Sequence, residues 1–165
     1  MQDKHISQAK RMTFPMAGLR LKLPPPLYLA LGLGLIYLAS RRGQASKPAW
    51  RWLGLPLIAT GLGLDVHALL NFRRHHTTPN PFHPERASHL VNQGAYRYSR
   101  NPMYLGMALI LSGWSLIRGS LSGLLVVPAF VWTLTQLQII PEEQELARKF
   151  GEPYLAYRKQ VRRWL

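Results

Sequence analysis

The sequence predicts an all-α fold, a polytopic membrane helix bundle of about four transmembrane helices with a C-terminal amphipathic helical tail. Three observations carry this expectation. A mean hydropathy of -0.07 conceals a blocked distribution, with apolar runs at Pro24 to Ala39, Leu53 to Phe72, Met103 to Ile117 and Leu121 to Ile140. Nearly all the charge lies between those runs. Glycines recur inside them, at Gly32 and Gly34, at Gly54, Gly61 and Gly63, and at Gly106 and Gly113, where small residues let helices approach closely.

Two of the runs have the roughly 17 to 25 residues that a hydrocarbon crossing needs, and the other two reach it by extension through Pro24-Pro25-Pro26 and Tyr104. The basic segment 1–23 before the first run contains Lys4, Lys10, Arg11, Arg20 and Lys22, and no small-residue cleavage pattern follows the run. We therefore expect a retained span rather than a removable signal peptide. The third and fourth runs are joined only by Arg118-Gly119-Ser120-Leu121-Ser122, which forces an antiparallel hairpin and brings Asn101 and Ile140 together. After Pro141 the chain reads as a short helix with Glu142, Glu143 and Glu145 in its first turn and Gly151 as its stop. A second helix is expected from Pro153, with Tyr154, Tyr157, Val161 and Trp164 on one face. Residues 1–165 form one domain, with 72–102 and 141–165 as polar segments on the same membrane side.

A formal charge of +14 invites a nucleic-acid reading, but the basic residues follow membrane topology. With the N-terminus inside, sixteen Lys and Arg fall on the inner side and five on the outer, so the positive-inside rule puts both termini in the cytoplasm. No nucleic-acid motif accompanies the charge. Cysteine is absent, which excludes disulfides, thiolate metal sites and Cys nucleophiles. His75, His76, His83 and His89 have poor spacing for zinc and only Glu85 as a second-shell acid, so no metal is expected.

The most informative stretch is Ser88 to Gly106, where a polar loop runs directly into an apolar helix. Gly94 permits a tight turn, Tyr96 and Tyr104 offer aromatic faces, Arg100 offers a planar fork for a carboxylate, and Glu142 with Glu143 offer acceptors for an ammonium or ribose. A pocket so charged suits a zwitterionic, aromatic, cationic small molecule such as S-adenosylmethionine. Asp65 and His67 sit within the second run; an intramembrane acid faces the bundle structurally or serves the cofactor or acceptor. Their spacing of two puts them on different sides.

These residues resemble the isoprenylcysteine carboxyl methyltransferase and phospholipid methyltransferase family of integral-membrane enzymes. One block is His89-Leu90-Val91, Gly94-Ala95-Tyr96 and Arg100-Asn101-Pro102-Met103-Tyr104-Leu105-Gly106, and the other is Glu142-Glu143, Leu146, Phe150-Gly151, Tyr154, Tyr157 and Val161. The segment Thr77-Thr78-Pro79-Asn80-Pro81 is similar to short bacterial members. The resemblance implies S-adenosylmethionine as cofactor, a membrane-lipid or other lipidic acceptor reached from the bilayer, and a location in the bacterial inner membrane. It implies that His89, Leu90, Val91, Gly94, Tyr96, Arg100, Asn101, Pro102, Met103, Tyr104, Glu142 and Glu143 bind the cofactor.

Among these, Arg100, Glu143 and His89 stand as catalytic candidates, Glu143 or His89 being the base that an amine acceptor would need. The acceptor stays open between a phospholipid amine, a carboxylate and a thiol. Gln138 and Gln160 stand where prenylcysteine enzymes are expected to carry basic residues, which disfavours a prenylcysteine carboxylate. The rival readings are a NADPH-dependent membrane reductase of related helical arrangement and a non-catalytic protein that binds anionic lipid.

Overall fold

The computed structural model describes residues 23–41, 49–74 and 90–165. Helix α1 spans Pro25–Ser40, α2 Gly54–Arg74, α3 Pro102–Ile117, α4 Val126–Leu134, α5 Ile140–Phe150 and α6 Glu152–Gln160. Short 3₁₀ turns precede α2 at Ala49–Leu53, lie within the polar loop at Gly94–Arg97, and open α4 at Ser122–Leu125. Among the described residues the structure is helical and contains no strand.

Two helical segments, Ala49–Asn71 and Ser122–Phe150, are long and apolar enough to cross a membrane. The 16-residue helices α1 and α3 are apolar but shorter; at 1.5 Å per residue each is about 24 Å long, against a hydrocarbon core of roughly 30 Å. Leu31, Leu35 and Leu38 of α1, Leu55, Leu62 and Val66 of α2, and Trp132 of α4 are all exposed. A water-soluble protein seldom presents so large an apolar surface.

The glycines explain how α2 and α3 pack. A Cβ on Gly61 would strike the Gly106 carbonyl, and one on Gly54 would strike the Gly113 carbonyl; the reciprocal substitutions collide as well. The two backbones are therefore in direct contact at two levels. Tyr28, Ile36, Tyr104, Leu111, Phe130, Leu134 and Ile139 form the core on the other side of α3, between α1, α3 and α4. Gly34 and Gly63 point into open space, so their place in the sequence reflects no packing contact.

The hairpin of α3 and α4 forms as its short connection requires. Arg118 ends α3, Gly119 turns at φ 65°, and Ser115 donates to the Ser120 carbonyl at 2.6 Å. The expected break at Pro141 is absent. The helix runs on from Ser122 to Phe150 through a π turn at Thr135–Ile139. A proline lacks an N–H and crowds the carbonyl four residues back, here Leu137, and the wider π turn accommodates both effects. Gly151, at φ 56°, then redirects the chain into α6 as expected. That helix stops at Gln160, so Val161 and Trp164 lie beyond it in an extended tail rather than on its face.

Candidate functional site

Three segments converge at one end of the bundle: the loop from Leu90 to Asn101, the first turns of α5, and the tail from Val161 to Leu165. Tyr104, in the first turn of α3, donates from its hydroxyl to Glu142 Oε1 at 2.8 Å, which closes the hairpin at its open end. Glu143, on the next position, is buried. Its Oε1 accepts from Arg163 Nε at 2.9 Å and its Oε2 from Arg163 Nη2 at 2.8 Å, a bidentate fork. Arg100 Nη1 lies 3.1 Å from Glu143 Oε1 as an ion pair. The two guanidiniums share one carboxylate, so both Glu143 oxygens are engaged.

The tail satisfies the loop through its backbone. Arg100 N donates to the Arg162 carbonyl at 3.0 Å, Asn101 Nδ2 to the Arg163 carbonyl at 3.0 Å, and Ser99 Oγ to that same carbonyl at 3.4 Å. Asn101 sits at the N-cap of α3 but makes no side-chain cap. Capping would be worth about 1 kcal/mol, and its amide instead braces the tail. Trp164 Nε1 reaches Thr135 Oγ1 at 3.2 Å, so the tail also grips the π turn.

On the opposite side the loop rests on α2. Gly94 adopts φ 60°, and a Cβ there would strike His67 Nε2 and Asn71 Nδ2. Asn71 Nδ2 lies 3.1 Å from His67 Nε2, and Ala95 N donates to the same ring nitrogen at 3.4 Å. Asp65 faces Gly106 instead, so the two intramembrane residues do serve different sides of α2. Val91, Tyr96, Ala68 and Met103 pack together beneath the loop. Tyr157 donates from α6 to the Tyr96 carbonyl at 2.7 Å. Burial, with the neighbouring Tyr157, Glu142 and Asp65, raises the Tyr96 hydroxyl well above its ordinary pKa, and burial does the same at Tyr157, so both remain neutral.

An open cleft of about 620 Å³ lies between loop and tail, lined by Asn92, Gln93, Gly94, Arg97, Tyr157, Gln160 and Val161. Beside it, Arg100 is largely buried and its Nε has no hydrogen-bond partner.

The structure thus brings together Gly94, Tyr96, Arg100, Asn101, Met103, Tyr104, Glu142 and Glu143, with Leu90, Val91 and Pro102 alongside. His89 lies outside the described residues, as do His75, His76 and His83. Among the described residues no cluster suited to a metal ion is found. Sequence reasoning missed Arg163, Ser99 and the His67–Asn71 pair. Two acids at 142–143 with only Arg100 nearby demanded a further counter-ion, and the consecutive Arg162-Arg163 in the tail was the signal.

The bundle thus presents an exposed apolar surface and carries a polar cleft at one end. The phospholipid methyltransferase family profile matches residues 49–153, and the chain belongs to that family. It is 44% identical over 63 residues to an uncharacterized protein of Haemophilus influenzae, a match covering 38% of this chain and 100% of that protein. It is 33% identical over 72 residues to a protein-S-isoprenylcysteine O-methyltransferase of Schizosaccharomyces pombe, covering 44% of this chain and 30% of that enzyme. The chain thus spans about a third of the length of that curated relative. No solved structure matches. A membrane methyltransferase is what family and relative together support.

Proposed function

We propose that the protein transfers a methyl group from S-adenosylmethionine to a lipid-soluble or amphiphilic acceptor, at the cytoplasmic face of a bacterial inner membrane. Four crossings, with both termini cytoplasmic, complete the reading. The observation that carries it is the Tyr104–Glu142 hydrogen bond of 2.8 Å, which unites two polar sequence blocks otherwise without reason to meet in an apolar bundle.

The residues fit this cofactor. The unpartnered Arg100 Nε is a buried donor suited to its carboxylate. Glu142, whose Oε1 is oriented by Tyr104, is an acceptor suited to its ammonium or ribose hydroxyls. Gly94 at φ 60° keeps the loop close to α2, and the 620 Å³ cleft is large enough for a ligand of this size. When bound, S-adenosylmethionine supplies an electrophilic methyl on a sulfonium.

The chain's own residues orient and exclude water. Val91, Tyr96 and Met103 pack with Ala68 beneath the loop, and Asn101 holds the tail across the loop. Arg100 touches the cofactor, and Glu143 acts through Arg100 and Arg163 as a positioning residue rather than as a base, because both its oxygens are engaged. His89 remains the group to accept an amine proton. Holding donor and acceptor in line in a dry site supplies much of the rate, by the 7 to 11 kcal/mol that proximity offers at best.

Titration of the purified protein in detergent tests the reading. S-adenosylmethionine should bind, Tyr104→Phe and Glu142→Gln should each weaken binding by about tenfold or more, as loss of a charge-assisted hydrogen bond worth about 1.5 to 3 kcal/mol implies, and NADPH should not bind. Tight NADPH binding without S-adenosylmethionine binding would overturn it in favour of a reductase.

A further inference from the structure

The end of the bundle away from the cleft carries arginines without acids. Arg118 ends α3 and Arg41 ends α1, and α3, 16 residues long, puts Arg118 about 24 Å from the cleft end at 1.5 Å per residue. From Lys4 to Leu64 and from Arg86 to Pro141 the sequence has no Asp or Glu. Among the described residues neither arginine has a carboxylate partner. The C-termini of α1 and α3 offer partial negative charge, which helps to seat the guanidiniums but does not neutralise them.

Arg118 is held in place rather than left to wave in solvent. Its Nε donates to Ser40 Oγ at 2.9 Å, and that buried hydroxyl donates in turn to the Tyr37 carbonyl at 2.7 Å. Its guanidinium lies 4.9 Å from the Tyr37 ring centroid and 6.0 Å from that of Trp114. Arg41 lies 5.7 Å from the same Tyr37 ring. Two cations thus gather on one aromatic side chain, where the ring faces favour them, and the Nε of Arg118 is already spent. The outer nitrogens of each fork are the groups left to meet an anion, and a planar fork suits the paired oxygens of a phosphate.

The surface beside them selects the rest of the ligand. Leu31, Leu35 and Leu38 are exposed on α1, and with Arg41 they follow at spacings of four, three and three, so they form one stripe that ends in a cation. An acyl chain lying along that stripe would bring its phosphate to Arg41 and Arg118. The acid-free sequence around this end supplies no carboxylate for an ammonium, so a choline or ethanolamine head would leave its cation unmet beside two guanidiniums. We propose that Arg41, Arg118 and Tyr37 form a binding site for one anionic phospholipid, a phosphodiester amphiphile with no positive group in its head, in the leaflet opposite the cleft. At that distance the lipid is a resident that braces α1 against α3, not the methyl acceptor.

Lipid retention tests it. Purified protein in dodecyl maltoside micelles doped with equal amounts of dioleoyl phosphatidylglycerol and dioleoyl phosphatidylcholine is examined by native mass spectrometry. The wild type should retain one phosphatidylglycerol in preference to phosphatidylcholine by about tenfold or more, as two basic residues at a membrane surface imply. Arg41→Gln with Arg118→Gln should bring the two lipids to within about twofold. Arg148→Gln with Lys159→Gln, which removes the same charge from the other end, should leave the preference intact. Equal retention of the two lipids by the wild type would overturn the proposal. So would a preference that survives Arg41→Gln with Arg118→Gln, or one lost as fully in the Arg148→Gln, Lys159→Gln control, which would mean attraction by overall charge. Displacement of the lipid by an equimolar amount of inorganic phosphate would overturn the amphiphile and leave a simple anion site. The wild-type ranking needs no variant, so a misfolded variant does not rescue the proposal.

Discussion

Glu143 accepts hydrogen bonds from Arg163 on both oxygens and pairs with Arg100 on one of them. Removing the carboxylate leaves Arg100, about one-tenth exposed at its side chain, as an uncompensated buried cation, an outcome that costs on the order of 3 kcal/mol. Removing Arg163 leaves Glu143 still paired with Arg100, and the Arg163 carbonyl still accepts from Asn101. Glu143→Gln should therefore lower the melting temperature in detergent clearly more than Arg163→Met does. Equal losses would mean that the tail's side chain, not its backbone, secures the site. The acids and Arg100 were legible in the sequence because charges beside an apolar run need a reason. Arg163 was less so, since a terminal basic pair reads equally well as a membrane-surface anchor, and only the fold shows which of two adjacent arginines turns inward.

At the scale of elements, glycine content alone did not distinguish packing from incidental positions. Gly54, Gly61, Gly106 and Gly113 bring α2 against α3, while Gly34 and Gly63 contact nothing. Gly113→Val should separate the two helices and destabilise the bundle sharply, because the obstructing atom is the Gly54 carbonyl rather than a movable side chain. Gly34→Ala and Gly63→Ala should be neutral or stabilising by up to about 1 kcal/mol from helix propensity. Thermal unfolding of the three variants in one detergent decides it, and a destabilised Gly63→Ala would point to a partner on that face. The hydrophobic runs placed α1 to α4 as helices, two of them in segments long and apolar enough to cross a membrane, but the sequence did not reveal the continuity across Pro141. A proline in a helical pattern ordinarily marks an end, and the π turn that accommodates it has no compositional signature.

For the whole molecule, the bundle and the site are held by different forces. Apolar packing along α1 to α4 builds the scaffold, whereas the loop and α5 are tied to the tail by hydrogen bonds and ion pairs among residues 99–101, 143 and 161–164. A chain ending at Gln160 should keep its helical circular dichroism in detergent yet lose S-adenosylmethionine binding and methyl transfer. Retained binding by the truncated chain would show that the tail is dispensable. The antiparallel hairpin of α3 and α4 was readable from one short fact, the five-residue link at Arg118 to Ser122. The crossing of the tail over the loop was not, because it depends on main-chain carbonyls, which every residue has.

The anchoring of the site by main-chain carbonyls carries a consequence for how the C-terminal region can change. Between Glu143 and Gln160 the chain is helical but for Gly151, and a short extended stretch then leads to the Arg163 carbonyl. Deleting one residue from α6 rotates all that follows by about 100° relative to what precedes it, so the carbonyls of Arg162 and Arg163 would turn away from Arg100 and Asn101. The spacing from the acid pair to the tail is thus a phase, insensitive to which side chains fill it and intolerant of a change in their number.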